Sequence, residues 1–153
     1  QLRTYLFKKL IKKKQNISNK KEIFNLIDAV IQTLTDQKLI SDKYYSEVKS
    51  RAFLRRGYSL NKIRYNLIKK GIEEKYIKDS ISKIKENESD PDFFSAIKLC
   101  KRRRIGAARE ESNRSLFYKK DISILARSGF SFELSKKVLD IPKDEFTKFC
   151  KMI

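Results

Sequence analysis

The stretch Arg55-Arg56-Gly57-Tyr58-Ser59-Leu60-Asn61-Lys62-Ile63-Arg64-Tyr65-Asn66-Leu67-Ile68-Lys69-Lys70-Gly71-Ile72 decides the fold, because each residue choice in it has a local mechanical reading. Gly57 suits a position of positive φ that ends one helix, and Ser59 offers a hydroxyl to the free N–H groups that open the next. Leu60, Ile63 and Leu67 recur at helical spacing and make an apolar stripe one face wide. Lys62, Arg64, Lys69 and Lys70 leave the other side basic, and Gly71 stops this helix as Gly57 stopped its predecessor. The spacing predicts a helix–turn–helix–turn–helix unit.

Outward from that stretch the same periodicity continues. Four glycines, two prolines and no alternating β-branched run leave little material for hairpins in 153 residues that are 40% apolar. An all-α chain is expected. Leu2 to Lys14 reads as a helix with Leu6, Leu10 and Ile11 on one face and a lysine patch of Lys8, Lys9, Lys12, Lys13 and Lys14 around the rest. Lys20 to Thr35 follows, with Ile23, Ile27, Val30, Ile31 and Leu34 as the most hydrophobic stripe of the N-terminal part. Ser41-Asp42 signals the cap of a helix ending near Arg56, with Tyr45, Val48 and Ala52 turned inward. Glu73 to about Lys85 carries Ile77, Ile81 and Ile84.

Asp90-Pro91 is a strong helix start, since Asp accepts from free N–H groups and Pro at the first position sacrifices none. That helix holds Phe93, Phe94, Ile97 and Cys100 and closes with Lys101-Arg102-Arg103-Arg104 before Gly106. Ala107 to Asn113 reads as a connection, Arg114 to Ser128 as a helix, and Ser131 as the cap of a shorter one with Leu134, Val138 and Leu139. Pro142 opens a last turn or two from which Phe146 and Phe149 fold back on the body.

A repeat emerges on counting. Leu10-Ile11, Leu67-Ile68 and Leu125-Ala126 stand 57 and 58 residues apart, and they precede Asn16-Ile17-Ser18, Gly71-Ile72-Glu73 and Gly129-Phe130-Ser131. Tyr44-Tyr45, Val48 and Gly57 match Phe93-Phe94, Ile97 and Gly106 at a constant offset of 49. Tandem three-helix modules in an elongated, curved array are the expectation. They divide as residues 1–40 (a first module lacking its first helix), 41–88, and 89–153 with a C-terminal tail. The missing initiator Met fits a chain that begins inside a longer one.

Lys and Arg number 37 against 19 Asp and Glu, a net charge of +18, which favours an anionic polymer or an acidic protein surface as partner. An AT-rich coding composition, enriched in both lysine and isoleucine, would raise the charge without any such demand. Without histidine and with only Cys100 and Cys150, no Cys/His metal cluster or His-dependent catalytic pair is available. The cysteines are expected reduced and unpaired. Carboxylate pairs such as Asp90 with Asp92 or Glu110 with Glu111 are better explained by capping and solvation, so no enzyme and no cofactor are expected. No run reaches the ~18 apolar residues of a membrane span, and the start lacks a signal peptide's apolar region.

Leu39-Ile40-Ser41-Asp42 with Tyr45 is followed by Arg56-Gly57-Tyr58-Ser59 with Ile63 and Leu67, then Lys70-Gly71-Ile72. Last comes Arg127-Ser128-Gly129-Phe130-Ser131 with Leu134 and Val138-Leu139. In the order and spacing of these motifs the chain resembles the RecX family, regulators of the RecA recombinase, over nearly its whole length. It departs from the family pattern at Ser41, where a second acid is usual, at Ser46, a small alanine-like position, and at Ser128, a basic one. The resemblance implies a non-enzymatic, cytoplasmic, monomeric protein with tandem helical repeats. Such a protein binds the RecA–single-stranded DNA filament and inhibits RecA ATPase, strand exchange and filament growth. Duplex DNA is a further expected partner, a membrane is not, and a general basic helical DNA-binding protein acting without RecA is the alternative.

The candidate partner- and DNA-binding residues are Arg51, Arg55, Arg56, Lys62, Arg64, Lys69 and Lys70, joined by Lys101, Arg102, Arg103 and Arg104. Arg51 and Arg55 lie one helical turn apart, and Lys62 and Lys69 two turns apart, so each helix can present a basic line. The bland reading is a solvated helix face, because exposed charges seldom carry much energy alone. Tyr58, Tyr65 and Tyr118 are candidate stacking platforms for bases, with core packing the competing role for Tyr118.

Overall fold

The computed structural model describes residues 2–13, 19–37 and 39–153. Among these the regular structure is helical and no strand occurs, as the periodicity requires. In chain order the helices are α1 (Leu2–Lys13), α2 (Lys20–Asp36), α3 (Asp42–Arg55), α4 (Leu60–Lys69), α5 (Glu74–Asn87), α6 (Pro91–Arg103), α7 (Glu111–Arg127), α8 (Phe132–Leu139) and α9 (Lys143–Lys151). A single 3-10 turn, Gly106–Ala108, sits between α6 and α7. The chain forms two compact units, Gln1–Tyr44 and Tyr45–Ile153, with the boundary in the first turn of α3. Lys14 of the lysine patch and the Asn16-Ile17-Ser18 segment of the repeat lie outside the described residues.

The first unit pairs α1 with α2. Asn19 caps α2 by accepting from the N–H groups of Lys21 and Glu22. Phe7 stacks on Phe24 with ring centroids 4.0 Å apart, and the Arg3 guanidinium lies over the same Phe24 ring while pairing with Asp28 at 2.6 Å. The α2 stripe is less covered than its hydrophobicity suggests: Ile27 is buried, Ile23, Ile31 and Leu34 are half-buried, and Val30 is 53% exposed. A helix pair offers each member one neighbour, which cannot shield a stripe as wide as this one.

In the second unit, α3, α4 and α5 enclose Leu54, Leu60, Ile63, Leu67, Ile72, Ile77 and Ile84. Ile63, Leu67 and Ile77 are fully removed from solvent, each worth about 1.5–3 kcal/mol of burial. Ile81 packs half-buried against the same cluster. Ser59 caps α4 as expected, its hydroxyl accepting from Lys62 N–H at 3.1 Å.

The inward face of α3 differs from expectation. Tyr45 and Val48 are exposed, and Ala52 is only half-buried. Ser46, Ser50 and Leu54, one turn apart in succession, occupy the interior instead. Ser46 Oγ shares a hydrogen bond of 2.8 Å with Ser80 Oγ and donates to the Tyr76 carbonyl at 3.1 Å. The small Ser46, whose hydroxyl finds these partners, lets α3 and α5 approach more closely than a tyrosine would allow.

The second cluster gathers Phe93, Ala96, Ile97, Leu99, Cys100 and Ile105 with Leu125, Val138, Leu139 and Phe146. From α9, Phe149 meets Phe93 and Phe94 edge-on, at 5.0 and 6.3 Å, so the C-terminal aromatics do fold back. Helix α7 starts at Glu111, about a turn earlier than the apolar spacing suggests. Glu110 takes the extended cap position and Glu111 supplies the negative charge that a helix N-terminus favours.

The two clusters are locked together at the opening of α4. Gly57 has φ +72°, and a Cβ there would lie 2.8 Å from the Ser95 carbonyl and 2.9 Å from Leu99 Cβ, so only glycine lets the α3–α4 turn sit on α6. Ser59 N–H donates to the Ser128 carbonyl at 3.1 Å. Gly129, at φ +90°, leaves room for Ser59 Oγ and Lys62. Asp92 reaches from α6 to accept the Leu60 N–H at 2.7 Å, giving α4 a second cap from another element.

Candidate functional site

Arg51 and Arg55 come together as expected of residues four apart on α3, and the packing of three helices gives them a setting. With Leu54 of the same helix they line a cleft of about 460 Å³. Its other walls are Glu47 of α3, Ser80, Lys83, Ile84 and Asn87 of α5, with Glu88 just beyond, and Lys98 of α6. Leu54 and Ile84 form an apolar floor continuous with the core cluster, so the cationic side chains stand on a packed base. Lys83 Nζ is held by Glu47 Oε1 at 2.6 Å. No ion-pair partner for Arg51, Arg55 or Lys98 occurs among the described residues.

The remaining basic residues divide between neighbours. Arg56 is exposed in the turn after α3, and Lys69 and Lys70 are exposed at the end of α4. Lys62 is half-buried, its Cβ beside Gly129, and its ammonium lies 5.4 Å from the Tyr65 ring centroid. Arg64 leans the other way, to Glu74 of α5 at 2.7 Å. Lys101 donates to the Cys150 carbonyl at 3.1 Å and so secures the end of α9. Arg102, Arg103 and Arg104 are exposed. Helix geometry places Arg102 one turn beyond Lys98 of the cleft. Arg104 is the C-cap of α6, in the left-handed region at φ +54°, and is the one described non-glycine residue with positive φ. The expected stop, Gly106, lies two residues further on, also at positive φ.

Of the three tyrosines, Tyr65 offers an open ring at 57% exposure. Tyr58 stacks on Phe53 at 5.6 Å. Tyr118 donates its hydroxyl to Asp140 at 2.9 Å, and burial followed by that hydrogen bond pushes its pKa up.

The acidic residues weighed for catalysis have structural duties. Asp90 caps α6 by accepting Phe93 N–H at 3.1 Å, Asp92 caps α4, and Glu111 pairs with Arg114. Desolvation, with help from Asp90, raises the pKa of Asp92 against the opposing Leu60 hydrogen bond. The periodicity gave no sign of Asp121, which is 1% exposed. Its carboxylate accepts from Arg109 Nε at 2.9 Å and Nη2 at 2.7 Å and from Gly106 N–H at 3.0 Å. A lone acid within an otherwise apolar helix face, with an arginine in the loop before it, was the available signal. Both cysteines are free thiols, and burial pushes that of Cys100 up to about 12, which keeps it neutral and unreactive. Among the described residues no group of three metal-ligating side chains gathers, and no helix is long and apolar enough to cross a membrane.

Comparison with known proteins returns several curated proteins named "Regulatory protein RecX". That of Myxococcus xanthus (strain DK1622) is 28% identical over 115 residues, covering 74% of this chain and 60% of the relative. That of Clostridium perfringens (strain SM101 / Type A) is 26% identical over 113 residues, 74% of this chain and 51% of the relative. That of Clostridioides difficile (strain 630) is 28% identical over 121 residues, 76% and 53%. The chain thus spans little more than half the length of the relatives it matches. No family model and no solved structure gives a significant match.

Proposed function

We infer that this chain, whose similarity to several RecX proteins supports membership of the RecX family, is a non-enzymatic, cytoplasmic regulator of the RecA recombinase. It binds the RecA–single-stranded DNA filament and inhibits ATP hydrolysis, strand exchange and filament growth. The observation that carries this reading is the similarity to proteins named as regulators along about 74% of the chain. Charge supports it: a surface at +18 is drawn to the negative filament. The structural duties of Asp90, Asp92 and Glu111 leave those carboxylates no evident catalytic role. Binding is assigned to Arg51, Arg55, Arg56, Lys62, Arg64, Lys69 and Lys70 with Lys101 to Arg104, of which Arg64 also pairs with Glu74 and Lys101 also holds the Cys150 carbonyl.

The test is RecA ATPase on single-stranded DNA, with and without substoichiometric amounts of this protein, alongside DNA binding in the absence of RecA. Inhibition below one protein per RecA monomer is expected. Binding to DNA with a steep salt dependence but no effect on RecA would replace this reading with that of a general basic DNA-binding protein.

A further inference from the structure

We propose that the cleft between α3, α5 and α6 is a phosphate-binding site that grips the backbone of a single-stranded nucleic acid, with Arg51, Arg55 and Lys98 as its ligands. The proposal deepens the reading above and rests on its nucleic-acid component, but it is argued from the cleft itself.

Three observations define the chemistry. First, the cleft brings five cation-bearing or amide side chains, Arg51, Arg55, Lys83, Lys98 and Asn87, around an apolar floor of Leu54 and Ile84. Its volume of about 460 Å³ falls within the range of small-ligand sites, roughly 300–1,000 Å³. Second, its charges are sorted. Glu47 is engaged with Lys83 at 2.6 Å. Glu88 is the other carboxylate of the lining, so Arg51, Arg55 and Lys98 stand three against one, a net excess of two positive charges. Guanidinium groups one helical turn apart suit planar, bidentate recognition of phosphate oxygens. Third, the side chains come from three helices whose relative positions are fixed by the Ser46–Ser80 hydrogen bond between α3 and α5 and by the close approach of Gly57 to α6. Side chains on rigid elements hold their geometry before the ligand arrives.

A nucleic-acid backbone is favoured over an acidic peptide for two reasons. A strand can lay its sugars and bases on the Leu54 and Ile84 floor while its phosphates meet the arginines, whereas an acidic side chain offers that floor little apolar surface. Beyond the cleft, Lys98 leads along α6 to Arg102 one turn away, a continuation that suits a repeating charge and not a single group.

The experiment measures binding of a fluorescein-labelled oligothymidylate to the full chain by anisotropy across a salt series, without RecA. Arg51→Gln, Arg55→Gln and Lys98→Gln are combined and compared with a charge-matched control, Lys119→Gln, Lys136→Gln and Lys148→Gln. The cleft variant should bind at least tenfold more weakly. Its slope of log affinity against log salt should fall by about two, at roughly 0.7 per lost contact to a single strand. The control should change by less than threefold. Equal losses in the two variants would overturn the proposal, as would an oligothymidylate that fails to bind the parent. Saturable binding of pyrophosphate that depends on the cleft, without oligonucleotide binding, would assign the site to a free phosphate. Displacement by a poly-glutamate peptide more effectively than by oligonucleotide would assign it to an acidic protein. RecA ATPase, run on the same variants, separates the two readings: inhibition by a parent that binds no oligonucleotide sinks the cleft and spares the regulator. Cleft-dependent oligonucleotide binding without any effect on RecA does the reverse.

Discussion

Asp121 is the residue on which the end of α6 and the loop after it depend. Its buried carboxylate takes two hydrogen bonds from Arg109 and one from Gly106 N–H, and the Arg109 guanidinium lies 4.7 Å from the Phe117 ring centroid. This clamp fixes the turn that follows Arg102 to Arg104, so it positions those arginines without being one of them. Removing one partner of a buried ion pair strands the other, at about 3–5 kcal/mol. Asp121→Ala is therefore expected to lower unfolding free energy by about 3 kcal/mol in urea titrations, and Arg109→Met by at least as much, since it leaves the fully buried carboxylate with only the Gly106 N–H, whereas the partly exposed arginine can turn to water. A change below about 1 kcal/mol in the alanine variant would mean that the clamp is slack. The pair was legible in the sequence only as a lone acid on an apolar helix face, for a physical reason. Its members are 12 residues apart in different local structures, and only tertiary packing brings them into contact. Arg51 and Arg55, by contrast, could be paired from helix geometry alone, whereas Lys83 and Lys98 could not be joined to them.

At the scale of elements, the turn signals and helix caps were the most legible features. Gly57, Ser59, Asp90, Gly129 and Ser131 all stand where local backbone needs put them, and Ser59, Asp90 and Ser131 make the expected side-chain caps. The interior face of α3 was not legible, because serines carry no hydrophobic signal and Ser46 becomes interior only where α5 supplies its partners. Nor was the second cap of α4, since Asp92 lies 32 residues from Leu60. The Asp92 cap predicts a pH dependence. Its folded pKa is raised, chiefly by desolvation, so as pH falls the folded protein takes up this proton before the unfolded chain does. The contribution to stability therefore rises as pH drops through the folded value and levels off below the unfolded one. Asp92→Asn keeps an acceptor for Leu60 N–H without the half-buried charge. It should match or slightly exceed the parent in urea stability at pH 7 and lose that margin near pH 3. Asp92→Ala removes the acceptor and should cost about 1 kcal/mol at both. An asparagine variant as unstable as the alanine one would show that the charge itself holds the junction.

At the scale of the whole molecule, the apolar stripes predicted helices and even which residues are innermost, as with Ile63, Leu67, Ile77, Leu125 and Val138. They were silent on how the two clusters of the second unit meet. That junction is made by backbone groups and glycines: Ser59 N–H on the Ser128 carbonyl, Gly57 against α6, and Gly129 against Ser59 and Lys62. Such contacts are short-ranged and intolerant of added volume, so they couple the clusters more tightly than a small apolar patch would. The expected consequence is that Tyr45–Ile153 unfolds cooperatively, with the slowest amides of α4 and α7 exchanging through one common opening in native-state hydrogen exchange. Gly129→Ala should break the coupling. Its Cβ would press on Ser59 Oγ and stand 3.1 Å from the Lys62 backbone nitrogen, in a conformation that L-residues rarely adopt. In that variant α4 and α5 should open at lower free energy than α7 and α8, because the collision with Ser59 and Lys62 is relieved when the start of α4 moves away. Gly71 is the internal comparison, because it has similar positive φ with nothing within 4 Å of the added Cβ. Gly71→Ala carries the backbone strain without the collision at the junction, so it should destabilise the unit while leaving the openings of α4 and α7 tied. If the parent already shows separate openings for the two clusters, or if Gly71→Ala separates them as well as Gly129→Ala does, the glycine junction is not what joins them.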